Sequence, residues 1–260
     1  MSVTGLPEAS GVAASLRTAG MLWSHNDSGE PVVFAVGSDG ATIGRVTVAG
    51  ASVIDWEDID VGPCSQGSCL YIGDIGDNFA KRKDVVIYRV PEPEANAGTS
   101  APAESMHLTY PDGPRDAEAM VVLPNGTLFI VTKGERGPIV LYRLPSEFRD
   151  GATARLERVA TVAESEGMKG VSRQDRITGG AASPDGRWIA LRTLHAVTFY
   201  SAADFTAGNV REVLRFDLSA LRERQGEGVG FGTDGAIWLA SEGGGNRRKG
   251  SIARIECTLR

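Results

Sequence analysis

Long apolar runs, histidine and cysteine are all scarce in this sequence. No stretch of about 18 apolar residues occurs among its 260 residues, so no membrane-spanning segment is expected. With three histidines and three cysteines, a zinc site is a remote alternative. Residues 1–7 are too few and too polar for a secretory signal. The protein is therefore expected to be secreted or periplasmic with its signal absent from this sequence, or else cytoplasmic.

A basic stripe and the common catalytic motifs are also missing. The formal net charge is −6, and no Lys/Arg-rich stripe occurs beyond short runs such as Arg247-Arg248-Lys249, so nucleic acid is not an expected partner. There is no Gly-x-Ser-x-Gly nucleophile elbow, no phosphate-binding glycine loop and no EF-hand spacing. Any chemistry must therefore come from residues that the fold brings together.

What the sequence does contain is one strand-turn-strand unit repeated five times. Its 33 glycines suit short strands joined by tight turns. The lead residues of the five copies are Glu8, Glu57, Glu118, Thr178 and Glu227, at spacings of 49, 61, 60 and 49 residues. This period is at or a little above that of one four-stranded propeller blade. The sequence therefore predicts a single all-β domain over residues 1–260, a β-propeller of five four-stranded blades, with six blades as the alternative.

The two ends of the chain are predicted to meet. The fifth repeat ends with residues 251–255, one strand short of a full blade. Residues 1–5 could supply that strand and close the ring. Residues 91–102 are expected to form a long loop between outer strands, and residues 221–225 a short helical turn.

Two of the three cysteines flank the turn of the second repeat. Cys64 and Cys69 can meet across this glycine-containing hairpin, so a disulfide is predicted, with reduced thiols as the alternative. A disulfide would indicate an oxidising compartment. Cys257 is left over and is expected to be an ordinary buried thiol.

The repeated acids are the main functional signal. In a propeller the first strand of each blade lines the central channel, so the lead glutamates would converge there. Because like charges repel, they require a bound cation, protonation, or basic neighbours such as Lys133 and Arg192. Oxygen ligands of this kind favour Ca²⁺ over zinc or copper. The candidate metal ligands are Glu8, Glu57, Asp74, Glu118 and Glu227.

Polar residues at the ends of second strands are candidates for substrate contacts and catalysis. Arg192 could steady an anionic group, or could simply pair with glutamates. His25 could take a proton from a metal-bound water, or could be structural. The candidate substrate-binding residues are Asn26, Asp27, Lys133 and Glu242.

Several short motifs resemble those of secreted bacterial β-propellers of the phytase-like group. They are Glu-Ala-Ser-Gly, Trp-Ser-His-Asn-Asp-Ser-Gly, Asp-Trp-Glu-Asp-Ile, Gly-Asp-Ile-Gly-Asp-Asn, Asp-Ala-Glu-Ala-Met, Gly-Glu-Gly-Val-Gly-Phe and Ala-Ser-Glu-Gly. The likeness to calcium-dependent lactonase and esterase propellers is looser. By position it implies channel acids at Glu8, Glu57, Glu118 and Glu227, with Asp27, Asp74 and Glu242 nearby. Those families mostly have six blades, and here Thr178 and Arg192 replace acids.

Three functions are compatible with this pattern. The first is a monomeric calcium-binding hydrolase acting on a small anionic ester, phosphoester or lactone. The second is a metal-free glycosidase that uses two channel carboxylates. The third is a non-catalytic ligand- or protein-binding propeller with structural calcium.

Overall fold

The computed structural model is a five-bladed β-propeller with almost no helix, as the repeats predict. It describes residues 1–165, 167–244 and 249–256. The predictions for Arg247, Arg248 and Cys257 therefore lie outside the described residues. The strands are β1 Ala9–Ala14, β2 Met21–Asn26, β3 Val32–Gly37, β4 Thr42–Thr47, β5 Trp56–Cys64, β6 Gly67–Asp74, β7 Val85–Pro91, β8 Glu104–Thr109, β9 Ala117–Val122, β10 Leu128–Thr132, β11 Ile139–Arg143, β12 Thr153–Arg155, β13 Glu157–Ala163, β14 Ile177–Ala182, β15 Trp188–Thr193, β16 Ala196–Ser201, β17 Glu212–Asp217, β18 Gln225–Phe231, β19 Ile237–Glu242 and β20 Ser251–Ile255.

Each blade is an antiparallel meander that starts at the channel and runs outward. Blade 1 contains β1 to β4, blade 2 contains β5 to β8, and blade 4 contains β14 to β17. Blade 3 contains β9, β10, β11 and β13, while β12 pairs in parallel with β8 of blade 2. The innermost strands β1, β5, β9, β14 and β18 contact one another around the ring.

The N-terminal segment completes the fifth blade, which β18, β19 and β20 begin. Ser2 forms an antiparallel bridge with Ser251, and the backbone N–H of Val3 donates to the carbonyl of Gly250 at 2.9 Å. The N–H of Ile252 donates in turn to the carbonyl of Met1 at 2.8 Å. The first and last blades are thus joined by backbone hydrogen bonds, as the missing strand predicts.

The connections carry the little helix that there is. The long loop between β7 and β8 lies where residues 91–102 predict it. A helical turn at Ser219–Leu221 lies slightly earlier than residues 221–225 predict, and α1 spans Ala202–Thr206. Within the described ranges, no helix has the length and hydropathy needed to cross a membrane.

Apolar clusters fill the spaces between neighbouring blades. In blades 1 to 3 the third strand contributes an aromatic ring, from Phe34, Tyr88 and Tyr142, to the interface with the preceding blade. The equivalent residues of blades 4 and 5 are Thr198 and Ala253. They pair with Leu191 and Leu239, which occupy the same position in their second strands as the partners of the three aromatic residues. At the interface between blades 3 and 4 the third-strand ring lies two residues further along β16, at Tyr200.

Two aspartates of β5 bridge the inner strands of neighbouring blades. Edge strands leave backbone N–H groups unpaired, and Asp58 accepts such bonds from Met120 at 2.9 Å and Gly180 at 3.1 Å. Asp60 accepts another from Val122 at 2.8 Å. Burial raises the pKa of both carboxyl groups, that of Asp60 to about 7. These side chains link blades 2, 3 and 4.

Candidate functional site

The strand register shows which residues are equivalent in the five blades. Near the start of each inner strand a β-bulge interrupts the pairing with the second strand, and bulges redirect side chains. The pairs next to each bulge are Ala9 with Asn26, Trp56 with Asp74, Ala117 with Thr132, Ile177 with Thr193, and Gly226 with Ser241. The residue after each inner-strand partner forms what we call the channel ring: Ser10, Glu57, Glu118, Thr178 and Glu227.

In blade 1 the channel-ring residue is not the lead residue that the repeat pattern predicted. Ser10, and not Glu8, is equivalent to Glu57, because Ala9 pairs with Asn26 as Trp56 pairs with Asp74. The ring therefore has one pair of neighbouring glutamates, from blades 2 and 3.

The ring lies in a polar cavity of about 480 Å³ at one end of the channel. The residues that line it are Ser10, Asp27, Asp55, Glu57, Asn78, Glu118, Lys133, Glu135, Arg173, Arg176, Thr178, Leu194, Gln225, Glu227 and Glu242. Seven of these are acidic and three are basic, so the cavity has an excess of negative charge.

Three buried carboxylates converge at the side of blades 2 and 3. Glu57, Asp116 and Glu118 each offer an oxygen, and these atoms lie within 4.8 Å of one another. We call this group the acid triad. Asp116 Oδ1 accepts a hydrogen bond from the Asp77 N–H at 2.8 Å. Its buried Oδ2 accepts none from the described residues.

One lysine partly balances the acid triad. Lys133 Nζ contacts Glu118 Oε1 and lies 3.9 Å from Asp116 Oδ2. These two acids raise the pKa of Lys133 and keep it charged. Even so, burial followed by Glu118 raises the pKa of Glu57 well above its usual value. Burial also raises the pKa of Glu118, to about 7, because Lys133 offsets that effect only in part.

A loop glycine lets the carboxylates approach one another. A Cβ at Gly76 would lie 2.5 Å from Glu57 Oε1 and would also meet Asp55 Oδ2. Asn78 on the same loop donates to Asp55 Oδ2 at 3.1 Å. Burial and then Asp116 raise the pKa of Asp55. A larger residue at Gly76 would displace two of the acids in this wall.

The wall formed by blades 5 and 1 holds a second group of acids. Gln225 Nε2 donates to Glu227 at 2.6 Å and to Glu242 at 3.0 Å. Burial and Glu118 raise the pKa of Glu227, while burial and Asp27 raise the pKa of Glu242 to about 7. Burial and Glu8 raise the pKa of Asp27 to about 6. Glu242 and Asp27 are thus half-buried acids whose pKa values are raised by burial and by neighbouring carboxylates.

Three of the predicted site residues have other partners and do not line the cavity. Glu8 accepts a hydrogen bond from Ser28, and Asn26 joins the backbone of Glu8 to that of Gly5. Asp74 is fully buried, accepts from the Ile54 N–H at 2.9 Å and pairs with Arg82 at 2.6 Å. These contacts hold loops together.

The two predicted catalytic residues occupy the same register position and point between blades. His25 and Arg192 each precede the last residue of a second strand and are fully buried. His25 packs edge-on against Trp56 of blade 2, and burial lowers its pKa to about 4. Arg192 donates to the carbonyls of Gly228 at 2.7 Å and Ala240 at 2.8 Å in blade 5.

Arg192 also has its own counter-ion. Its Nη2 contacts Glu223, whose side chain is 7% exposed. Thr193, and not Arg192, is the residue of blade 4 equivalent to Asn26, and Leu194 is the residue that faces the cavity. The side chain therefore joins blade 4 to blade 5 and lies outside the cavity.

Sequence reasoning missed Asp55, Asp116, Gln225, Arg173 and Arg176. The first three lie two residues before a ring glutamate, in Asp55-x-Glu57, Asp116-x-Glu118 and Gln225-x-Glu227, a spacing that was visible in the sequence. The two arginines come from a blade connection, residues 164–176, which no repeat predicts. Arg176 pairs with Glu135 at 2.9 Å.

No protein-family model and no curated protein sequence matches this chain. Solved structures match in fold. A regucalcin from Agrobacterium tumefaciens, described as a calcium-binding protein, has 14% identity over 97% of this chain and 90% of its own, with a TM-score of 0.54. A gluconolactonase from Xanthomonas campestris has 13% identity over 97% and 74%, with a TM-score of 0.52. The PQQ-bound aldose sugar dehydrogenase from Streptomyces coelicolor has 14% identity over 98% and 95%, with a TM-score of 0.57. At these identities the matches show the propeller fold alone.

Proposed function

We propose that the cavity binds a divalent cation, Ca²⁺ in particular, and that the protein hydrolyses a small anionic ester, phosphoester or lactone there. The observation that carries the proposal is the acid triad, in which Glu57, Asp116 and Glu118 converge while buried. Such an arrangement is costly without a counter-charge, because burial and mutual repulsion both disfavour ionised carboxylates.

The donor chemistry of the site fits calcium. Every candidate ligand is a carboxylate or amide oxygen, which hard cations prefer, and none is an imidazole or a thiolate. Asp116 Oδ2 is buried and accepts no hydrogen bond from the described residues, so it is available as a ligand. Glu57 and Glu118 would supply the other two carboxylate ligands.

Lys133 supplies one positive charge to this group but does not balance all of it. Its ammonium contacts Glu118 and approaches Asp116, leaving Glu57 without a cationic partner among the described side chains. Burial, and then repulsion between neighbouring carboxylates, still raises the pKa values of Glu57 and Glu118, which supports a need for further positive charge. In this proposal Lys133 and the metal share the neutralisation.

The remaining cavity residues would bind substrate and move protons. When bound, the cation would polarise the substrate carbonyl or phosphoryl oxygen. Glu242, with a pKa of about 7, suits the role of general base that takes a proton from the attacking water. Arg173, at the mouth, suits an anionic substituent of the substrate. These two residues take over the roles first assigned to His25 and Arg192.

The fold neighbours support this choice without deciding it. One is named a gluconolactonase and another a calcium-binding protein, so propellers of this shape host both properties. The Cys64–Cys69 disulfide, which the structure contains, supports an oxidising and therefore extracytoplasmic location.

Hydrolysis of a panel of lactones, carboxylic esters and phosphoesters, with calcium and with EDTA, tests the proposal. We expect turnover that EDTA abolishes and calcium restores, and a loss of at least tenfold in kcat for Glu242→Gln with calcium binding retained. Glu8→Gln is the matched control, because Glu8 lies near the cavity but does not line it.

Two results would support other functions. Turnover of glycosides that survives EDTA and is lost in Glu57→Gln would indicate a metal-free glycosidase. Calcium binding with no turnover of any ester, phosphoester, lactone or glycoside would indicate a non-catalytic binding propeller.

A further inference from the structure

A second cavity, separate from the channel, lies between blades 3 and 4. Its volume is about 670 Å³, and it is lined on one side by β11 and β13, on the other by β14 to β17, and at its opening by the connection between β13 and β14. We call it the blade 3/4 cleft. Ligand sites for small molecules commonly have volumes of roughly 300–1,000 Å³.

The register shows which part of this interface is left open. Phe34, Tyr88 and Tyr142 fill the corresponding space in blades 1 to 3, each packing toward the preceding blade. In blade 4 the equivalent residue is Thr198, which pairs with Leu191 as Tyr142 pairs with Ile130. The third-strand ring of this interface, Tyr200, lies two residues further along β16. A threonine fills much less volume than an aromatic ring, and protein interiors rarely leave such a gap empty.

The cleft combines an apolar wall with buried hydroxyl groups. Ile139, Val162 and Leu191 form part of the wall, and these residues belong to the core cluster between blades 3 and 4. Thr198 and Tyr200 bring hydroxyl groups and are 4% and 7% exposed. Burial raises the pKa of Tyr200 to about 12, so its phenol is a neutral hydrogen-bond donor.

Side chains of both positive and negative charge lie at the rim of the cleft. Arg215 lies 3.6 Å from Asp175, and Lys169, Glu164 and Glu212 lie around the same opening. Charge therefore favours neither an anionic nor a cationic ligand. The walls offer apolar surface together with the hydroxyl groups of Thr198 and Tyr200.

We propose that the blade 3/4 cleft is a binding site for a small neutral aromatic molecule. Its ring occupies the space that the third-strand aromatic residue fills in blades 1 to 3, and its polar group accepts a hydrogen bond from Tyr200 or Thr198. The cleft and the channel cavity share no lining residue, although the connection before β14 contributes Ser172 and Asp175 to the cleft and Arg173 and Arg176 to the channel.

Nile red, a neutral fused-ring dye with a carbonyl acceptor, is a suitable probe. Fluorescence titration of the intact protein in EDTA should show saturable binding to one site. Thr198→Phe supplies the missing ring, so we expect at least tenfold weaker binding together with a higher melting temperature, since the new ring fills a void. Tyr200→Phe keeps the packing and should weaken binding several-fold through the lost hydroxyl.

The matched control is Ala253→Phe, which adds a ring at the same register position of blade 5. It should leave dye binding unchanged. Glu118→Gln should also leave it unchanged, which separates this proposal from the function proposed for the channel. The proposal is overturned if the dye shows no saturable binding, if Thr198→Phe and Tyr200→Phe both bind as the unchanged protein does, or if Ala253→Phe abolishes binding.

Discussion

Blades 1 and 4 differ from blades 2, 3 and 5 at two linked positions. The channel-ring residue is a hydroxyl in blades 1 and 4, Ser10 and Thr178, and a glutamate in the other three. Ser10 Oγ donates to the carbonyl of Glu57 at 2.6 Å, and Thr178 Oγ1 donates to that of Glu227 at 3.0 Å. In both cases the acceptor is the ring glutamate of the next blade.

The second position, in each second strand, is the residue before the one that pairs next to the β-bulge. Large polar side chains occupy it in blades 1 and 4 alone. Blades 1 and 4 have His25 and Arg192 there, whereas blades 2, 3 and 5 have Gly73, Val131 and Ala240. Both polar side chains are directed at the next blade, blade 2 and blade 5 respectively. At these two positions blades 1 and 4 contact the next blade, whereas at the ring position blades 2, 3 and 5 place carboxylates in the cavity.

The largest expected effect comes from breaking the contact between blades 4 and 5. Arg192→Met removes a buried guanidinium and leaves Glu223 buried without its partner. We expect a loss of about 3–5 kcal/mol in the free energy of unfolding, measured by urea denaturation. The double variant Arg192→Met/Glu223→Gln should recover much of that loss, because no isolated charge remains. Equal stability of the single and double variants would contradict this account of Arg192.

His25, the polar residue at this position in blade 1, should make the unfolding free energy depend on pH. The pKa of His25 falls from 6.5 to about 4 on folding, so the unfolded chain binds a proton first as the pH drops. Below pH 6.5 this residue destabilises the fold, by about 2 kcal/mol at pH 5, and the effect reaches its limit near pH 4.

His25→Leu isolates that effect. We expect the difference in unfolding free energy between pH 8 and pH 5 to shift by about 2 kcal/mol in favour of the variant at pH 5. The buried acids titrate with the opposite sign, and they are common to both proteins. Parallel pH profiles for the two proteins would show that His25 is not held neutral.

Removing a carboxylate from the channel ring of blades 2, 3 or 5 should stabilise the protein, whereas removing the charge of Arg192 should destabilise it. In EDTA, Glu57→Gln removes a buried acid that repels Glu118, so we expect the protein to gain roughly 1–2 kcal/mol at pH 8. Thermal or urea unfolding measures this gain. Glu8→Gln, outside the cavity, is the control and should change stability little. A destabilised Glu57→Gln in EDTA would show that Lys133 already neutralises the triad.

The same comparison shows what the sequence could and could not predict. The recurring strand pattern was sufficient for five blades and for closure by residues 1–5, because hydrophobic period and turn residues are local signals. The register of blade 1 was predicted two residues away, at Glu8, because the β-bulge between Ala9 and Val12 leaves no mark in the sequence. A shift of one residue likewise moved Arg192 from between the blades to the channel in the prediction, since successive strand residues face opposite sides.

The smallest expected effect concerns the ring hydroxyls. Ser10→Ala and Thr178→Val each remove one buried hydrogen bond to the next blade, which is worth about 1 kcal/mol in unfolding free energy. Calcium affinity should stay within about twofold, because neither residue belongs to the acid triad. A change of tenfold or more in affinity would place the hydroxyls among the ligands.

The central claim is that Glu57, Asp116 and Glu118 hold a calcium ion. Isothermal titration of the EDTA-treated protein with CaCl₂ tests it most directly, alongside Glu57→Gln, Asp116→Asn and Glu8→Gln. The account predicts one calcium per chain, affinity lowered at least tenfold in each triad variant, and near-unchanged affinity in Glu8→Gln. Absence of binding to the unchanged protein, or equal affinity in all three variants, would contradict it.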